Sequence, residues 1–150
     1  MKKVNSILIV ILYLASIIVI SVFGLKVDVY KEKIPVTSIE CLNETDDKTE
    51  VSILGDKKYI KILFTTPGDI SDPNSTILYL NCRALPDNAT NKRLRYDYDK
   101  EKYGDAVTML LDDQGHARGV FLFHKKVVFD MTITATDGTE KSTTVKIKIY

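Results

Sequence analysis

The sequence predicts an all-β fold, a sandwich of short strands, preceded by one N-terminal transmembrane helix. Three observations lead there. Ile7 to Leu25 is a run of nineteen residues with no charge and no proline. Beyond it, short apolar stretches alternate with polar residues, and turn-forming residues recur about every 8–15 positions, as in sandwiches. No later stretch repeats its apolar residues at helical spacing.

The apolar run comes first in the chain. At about 1.5 Å per residue a helix of this length covers roughly 28 Å, close to the hydrocarbon thickness of a bilayer. A cleaved signal peptide has a shorter apolar region and small residues at its cleavage site. Here Phe23 stands directly before Gly24, and no cysteine follows for lipid attachment. A helix apolar on all sides is also poorly housed in the core of a domain this small. The run is therefore expected to remain as an anchor, with a cleaved signal and a core helix as alternatives. Lys2 and Lys3 precede it, so the positive-inside rule places the N-terminus in the cytosol and the rest outside. This divides the chain into a cytosolic stub and anchor (1–25), a short connector (26–35) and a β-domain (36–150).

Charge and cysteine usage then narrow the function classes. Without Lys2 and Lys3, 19 of the 21 basic residues remain against 20 acidic ones, a net charge of −1 outside the membrane. That balance speaks against nucleic acid, which calls for a clustered basic face. Cys41 and Cys82 fit either a disulfide formed outside the cell or two buried thiols.

Along the domain, Lys26–Lys33 is a polar connector too short to be a stalk, and Val36–Leu42 reads as the first strand. Glu50–Leu54 and Tyr59–Phe64 flank Gly55-Asp56, a hairpin pattern. Pro67, Gly68, Asp69, Asp72, Pro73 and Asn74 form the densest cluster of helix and strand breakers, predicting an exposed loop over Thr65–Ser75. Thr76–Leu85 alternates, with Leu78, Leu80, Cys82 and Ala84 on one face and Tyr79, Asn81 and Arg83 on the other. Arg93–Tyr98, Ala106–Leu111, Gly119–Phe123, Val127–Thr136 and Ser142–Tyr150 complete a set of about nine strands. Cys41 and Cys82 are expected to face inward on neighbouring strands.

Three blocks share one pattern. They are Val36-Thr37-Ser38-Ile39; Leu85-Pro86-Asp87-Asn88-Ala89-Thr90-Asn91-Lys92; and Asp113 to Val120 leading into Met131-Thr132-Ile133-Thr134-Ala135-Thr136-Asp137-Gly138. In these blocks the chain resembles the group 2 bacterial immunoglobulin-like domains of intimin- and invasin-type surface proteins. The resemblance covers about Val36 to Tyr150. It implies an immunoglobulin-like sandwich acting as a spacer or adhesive unit, and no catalytic residues. The chain departs from the pattern with Tyr96 where a core tryptophan is usual, with His124–Phe129 before the penultimate strand, and with Glu50–Ser75 as an apparent insertion.

Candidates for chemistry are sparse. His116 and His124 have no Cys or Glu at metal-ligand spacing, and Asp97, Asp99 and Glu101 lack the glycine and distal glutamate of a calcium loop. No nucleophile elbow, P-loop or dinucleotide turn is present, so neither cofactor nor metal is expected. Asn43, Asn74 and Asn88 open Asn-x-Thr triplets, which are glycan acceptors in a secretory pathway of the right kind and turn composition otherwise. Tyr79 and Tyr98 are placed to point outward. The expected function is that of a membrane-anchored surface module that is not an enzyme. Its partner would be a protein or cell-wall glycan, met on the loop bearing Pro67, Gly68, Asp69, Asp72, Pro73 and Asn74. Two other readings are an accessory subunit of an envelope complex, and an envelope glycan hydrolase with paired carboxylates in a cleft.

Overall fold

The computed structural model describes residues 11–15 and 32–150. The chain divides into two units, Met1–Glu32 and Lys33–Tyr150. Residues 11–15 are helical. The remainder of Ile7–Leu25, the stub before it and the connector as far as residue 31 lie outside the described residues. Among the described residues no helix is long and apolar enough to cross a membrane.

The second unit is built of β-strands, with one helical turn at Lys100–Tyr103. In order they are β1 (Ser38–Cys41), β2 (Thr49–Leu54), β3 (Lys57–Ile62), β4 (Ile77–Tyr79) and β5 (Cys82–Leu85). Then follow β6 (Leu94–Asp97), β7 (Val107–Leu111), β8 (Ala117–Phe123), β9 (Val128–Ala135) and β10 (Ser142–Ile149). One layer is a five-stranded sheet in the order β2-β3-β10-β9-β6. The facing layer joins the β4-β8-β7 sheet to the β1-β5 pair, because β4 and β5 are two halves of a single extended run.

The core lies between these layers. Leu78, Leu80, Val107, Phe121 and Phe123 from one meet Ile60, Tyr96, Phe129, Met131, Ile133, Val145 and Ile147 from the other. The strand period puts them there: in β10, Val145, Ile147 and Ile149 are buried, and Lys146 and Lys148 between them are not. Tyr96 is buried and meets Phe121 edge-on with ring centroids 5.6 Å apart. Gly119 allows this fit. It has φ +71°, and a Cβ there would lie 2.7 Å from the Leu80 carbonyl and 3.1 Å from the Tyr96 hydroxyl.

Two expectations need correcting. Thr76–Leu85 is not one unbroken strand; it kinks at Leu80-Asn81, where the Cys82 N–H donates to the Leu80 carbonyl at 3.2 Å. Asn43 repairs the gap, accepting from the Asn81 N–H at 2.8 Å and donating to the Tyr79 carbonyl at 2.7 Å, as a neighbouring backbone would. Nor does Tyr98 point outward: it shares the face of Tyr96, its ring packs on Phe129 with centroids 5.6 Å apart and its hydroxyl donates to the Val107 carbonyl at 3.1 Å. Glu50–Ser75, the apparent insertion, is integrated into the five-stranded layer. Its hairpin closes on β10 through β3, in parallel register Ile60↔Ile147 and Ile62↔Ile149, and buries Ile60 and Ile62.

Cys41 and Cys82 form a disulfide across β1 and β5, where they are directly opposite with Cα atoms 4.0 Å apart. The flanking Leu42 N–H donates to the Asn81 carbonyl at 2.7 Å, so the cysteines occupy the closely spaced, non-hydrogen-bonded rung. The N-terminal entry is tied down separately. Val36 N–H donates to Asp137 Oδ2 at 2.6 Å, while the Thr139 hydroxyl and N–H donate to Oδ1 at 2.6 and 3.1 Å. The Thr139 hydroxyl first, then the Val36 N–H, hold the Asp137 carboxyl below the usual carboxylate range.

Closing a loop of 41 residues is worth about 4 kcal/mol on the chain-entropy model. Cys41→Ala/Cys82→Ala should therefore lower the urea midpoint by about 2 M, for a slope near 2 kcal/mol per M. A depressed carboxyl pKa contributes stability above the unfolded value of about 4, and that stability is lost as pH falls through the folded value. Asp137→Ala should thus be less stable than the parent at neutral pH. The two urea midpoints should converge as the pH is lowered below about 4.

Candidate functional site

A groove of about 1020 Å³ opens between the segment after β1 and the segment before and along β4. Its apolar lining includes Leu42, Ile70, Ile77 and Tyr79, with Tyr79 63 % and Ile70 65 % exposed. Tyr79 is outward because it alternates with buried Leu78 and Leu80. Glu44, Asp46, Asp47 and Asp72 line the rest against a single lysine, Lys48, so the groove is acidic. Asp46 is a turn residue whose carboxyl accepts the Lys48 and Thr49 N–H groups at 2.8 and 2.7 Å. Those bonds, Lys48 first, keep it ionised well below neutral pH. Among the described residues, the Tyr79 hydroxyl and the Asn81 side-chain amide make no hydrogen bond and remain available to a partner.

The predicted partner loop reaches this groove only in part. Asp72 and Pro73 line it, together with Ile70; Pro67, Gly68, Asp69 and Asn74 do not. Gly68 lies against β8 instead: its N–H donates to the Phe123 carbonyl at 2.8 Å. The Ser75 hydroxyl accepts the Asp69 N–H at 2.7 Å and donates to the Pro67 carbonyl at 3.1 Å. Thr76, fully buried, accepts from the Thr65 N–H at 3.0 Å and donates to the Thr66 carbonyl at 2.9 Å. The Thr65 hydroxyl donates to the Asn74 carbonyl. The segment Thr65–Ser75 is thus a strap over the end of β8, exposed at its tip and fixed at both stems.

A second groove, about 700 Å³, opens between β6 and the β7–β8 turn. Asp97 and His116 both line it, and their side chains are engaged with other residues of the same groove. Asp97 Oδ2 accepts from Arg95 Nε at 2.7 Å. His116 Nε2 is 2.9 Å from Arg93 Nη1 and its Nδ1 is 3.3 Å from Asp112 Oδ2. Arginine only donates, so Nε2 accepts and the ring proton sits on Nδ1, toward Asp112. The imidazole nitrogen that would serve as a base is occupied, and no serine or cysteine is among the lining residues. Asp99 caps the helical turn, accepting from the Lys102 N–H at 3.0 Å, with Glu101 beside it in that turn. His124 pairs with the Thr108 hydroxyl at 2.9 Å. Among the described residues no group of three or more His, Cys, Asp or Glu side chains is placed to hold a metal ion. Of the Asn-x-Thr residues, Asn74 and Asn88 are exposed, whereas the Asn43 amide is consumed in the strand repair.

No protein-family model, curated protein or solved structure matches this chain. Sequence reasoning missed Ile70 and the 42–48 segment as groove walls. The outward alternation of Tyr79 and the breaker cluster bearing Asp72 and Pro73 were the signals that pointed there.

The strap predicts its own test. A Cβ on Gly68 would lie 2.6 Å from Leu122 Cβ and 2.8 Å from the Phe123 nitrogen. Gly68→Ala should cost about 1–3 kcal/mol, read as a lowered urea midpoint, because main chain must shift to admit the methyl group.

Proposed function

We propose that residues 33–150 form an immunoglobulin-like module held at the outer face of a cell membrane by Ile7–Leu25, with a binding role at the cell surface. The observation that carries the fold reading is the strand order. One layer runs β1-β5/β4-β8-β7 and the other β6-β9-β10, which corresponds to the ABED and CFG sheets of immunoglobulin-type sandwiches. β3 adds a strand parallel to the last one. The Cys41–Cys82 disulfide supports placement outside the reducing cytosol. It bridges neighbouring strands of one layer, unlike the inter-sheet bond of antibody domains. The resemblance of the Leu85–Lys92 and Met131–Gly138 blocks to group 2 bacterial immunoglobulin-like domains points the same way.

Fold alone assigns no ligand; the site must do so. The groove bordered by Tyr79 and Ile70 offers an aromatic face, apolar contact, a free amide and several carboxylates. That combination suits a protein segment or the hydroxyl-rich face of a cell-wall glycan. Binding on loops and outward strand positions also leaves the core intact.

Full-length protein in detergent should sediment with purified peptidoglycan or with a cross-linked partner. Tyr79→Ala/Ile70→Ser should weaken that association at least tenfold, while the thermal midpoint stays within a few degrees, since both side chains are exposed. Equal binding by the double variant would remove the groove from the proposal. In intact cells, the domain should be cut by added protease. Protection until the cells are lysed would refute the outward placement.

A further inference from the structure

We propose that the tip of the β2–β3 hairpin docks into the lipid interface of the membrane that carries the chain. Ile53 and Leu54, the last two residues of β2, are 74 % and 71 % exposed. Successive strand residues point to opposite faces, so this tip is apolar on both sides at once. A flat protein surface would cover one of the two. A fluid interface closes around both.

Edge-to-edge pairing with a second copy is a poor competitor. Thr45 Oγ1 accepts the Val51 N–H at 2.9 Å and donates to the Val51 carbonyl at 3.3 Å. Asp46 does the same service at Thr49, accepting its N–H at 2.7 Å and donating its own N–H to the Thr49 carbonyl at 2.8 Å. Two outer rungs of β2 are thereby closed to another strand, which blunts the edge.

The placement of the tip favours the membrane. Parallel pairing sets Lys58 beside Val145, near the start of β10, and Leu54 pairs with Lys57. The hairpin turn therefore lies at the same end as the β9–β10 turn, whose Asp137 holds Val36. The chain enters the domain at that end too, through Ile34, paired with Thr90. This rests on the reading of Ile7–Leu25 as an anchor. From Lys26 to Lys33 the chain reaches at most about 28 Å when fully extended, so an anchored Leu25 tethers the entry end within that reach. Leu63 and Tyr150 lie at the opposite end of the sheet, about 27 Å from the entry end along β10. The exposed Asp56 and Lys57 of the turn offset one another and Lys58 is committed to the Cys41 carbonyl, so the apolar pair carries the docking.

The chain has no tryptophan, so a single introduced one reports on its own position. Full-length Leu54→Trp, Ile53→Trp and Leu63→Trp would each be reconstituted into vesicles of phosphatidylcholine with a minority of phosphatidylglycerol, with and without brominated acyl chains. Both tip variants should show blue-shifted emission and at least twofold quenching by the brominated lipid, with Leu63→Trp unaffected. Protein that floats with the vesicles while either tip tryptophan goes unquenched overturns the docking and leaves the anchor standing. A blue shift without quenching at one or both tip positions also overturns it, in favour of a protein partner. Protein that fails to float with the vesicles overturns the anchor and the docking together.

Discussion

The fold depends on the way residues 77–85 serve two neighbours from one run of chain. The first half pairs with β8 and the second with β1, and the handover happens at Leu80 and Asn81. There the Leu80 N–H reaches the Gly119 carbonyl at 2.7 Å, while the Asn81 carbonyl receives the Leu42 N–H at 2.7 Å. A kink at such a position would ordinarily strand backbone groups, which is costly next to a core. The Asn43 side chain fills the gap on one side, the Cys41–Cys82 bond closes it next door, and glycine at 119 gives the room the close approach needs. These devices keep one layer continuous from β1 to β7.

The facing layer is completed by the β2–β3 hairpin. β3 covers what would otherwise be the open edge of β10, and its two isoleucines add to the shared core. Its partner β2 then becomes the edge, and the Thr45 and Asp46 side chains shield most of it. Burial and edge protection are satisfied together, leaving only Ile53 and Leu54 without cover at the tip. The strap from Thr65 to Ser75 carries the chain from the end of β3 across to β4, and its polar side chains are largely spent on its own backbone. That economy separates the stems, which are structural, from the tip at Ile70, Asp72 and Pro73, which borders the groove.

Electrostatics divides the surface in a way that net charge hides. The groove beside Tyr79 is dominated by carboxylates, and the one between β6 and β7 carries Arg93, Arg95 and Lys100 against Asp97 and Asp112. In the second groove the charges are largely paired with one another, as in Asp112–His116 and Arg95–Asp97. Such exposed pairs add little to stability. They do leave this groove with fewer free polar groups than the first, which is why the binding role is assigned to the Tyr79 side.

By itself the sequence determined the β class, most strand limits, most inward and outward faces (Tyr98 excepted) and the β2–β3 hairpin. These follow from alternation and turn chemistry, which act over a few residues. Tertiary structure alone decided which strands are neighbours, and every consequence of that. β3 against β10, Cys41 opposite Cys82, Asn43 beside Asn81 and Gly68 against Phe123 join residues 38 to 87 positions apart. Alternation is indifferent to the partner: Tyr59-Ile60-Lys61-Ile62 reads the same whether it flanks β10 or hangs free. Grooves are shaped by such distant pairings, so Tyr79 could be called outward from its spacing, whereas Ile70 and Leu42 became its companions only through the fold.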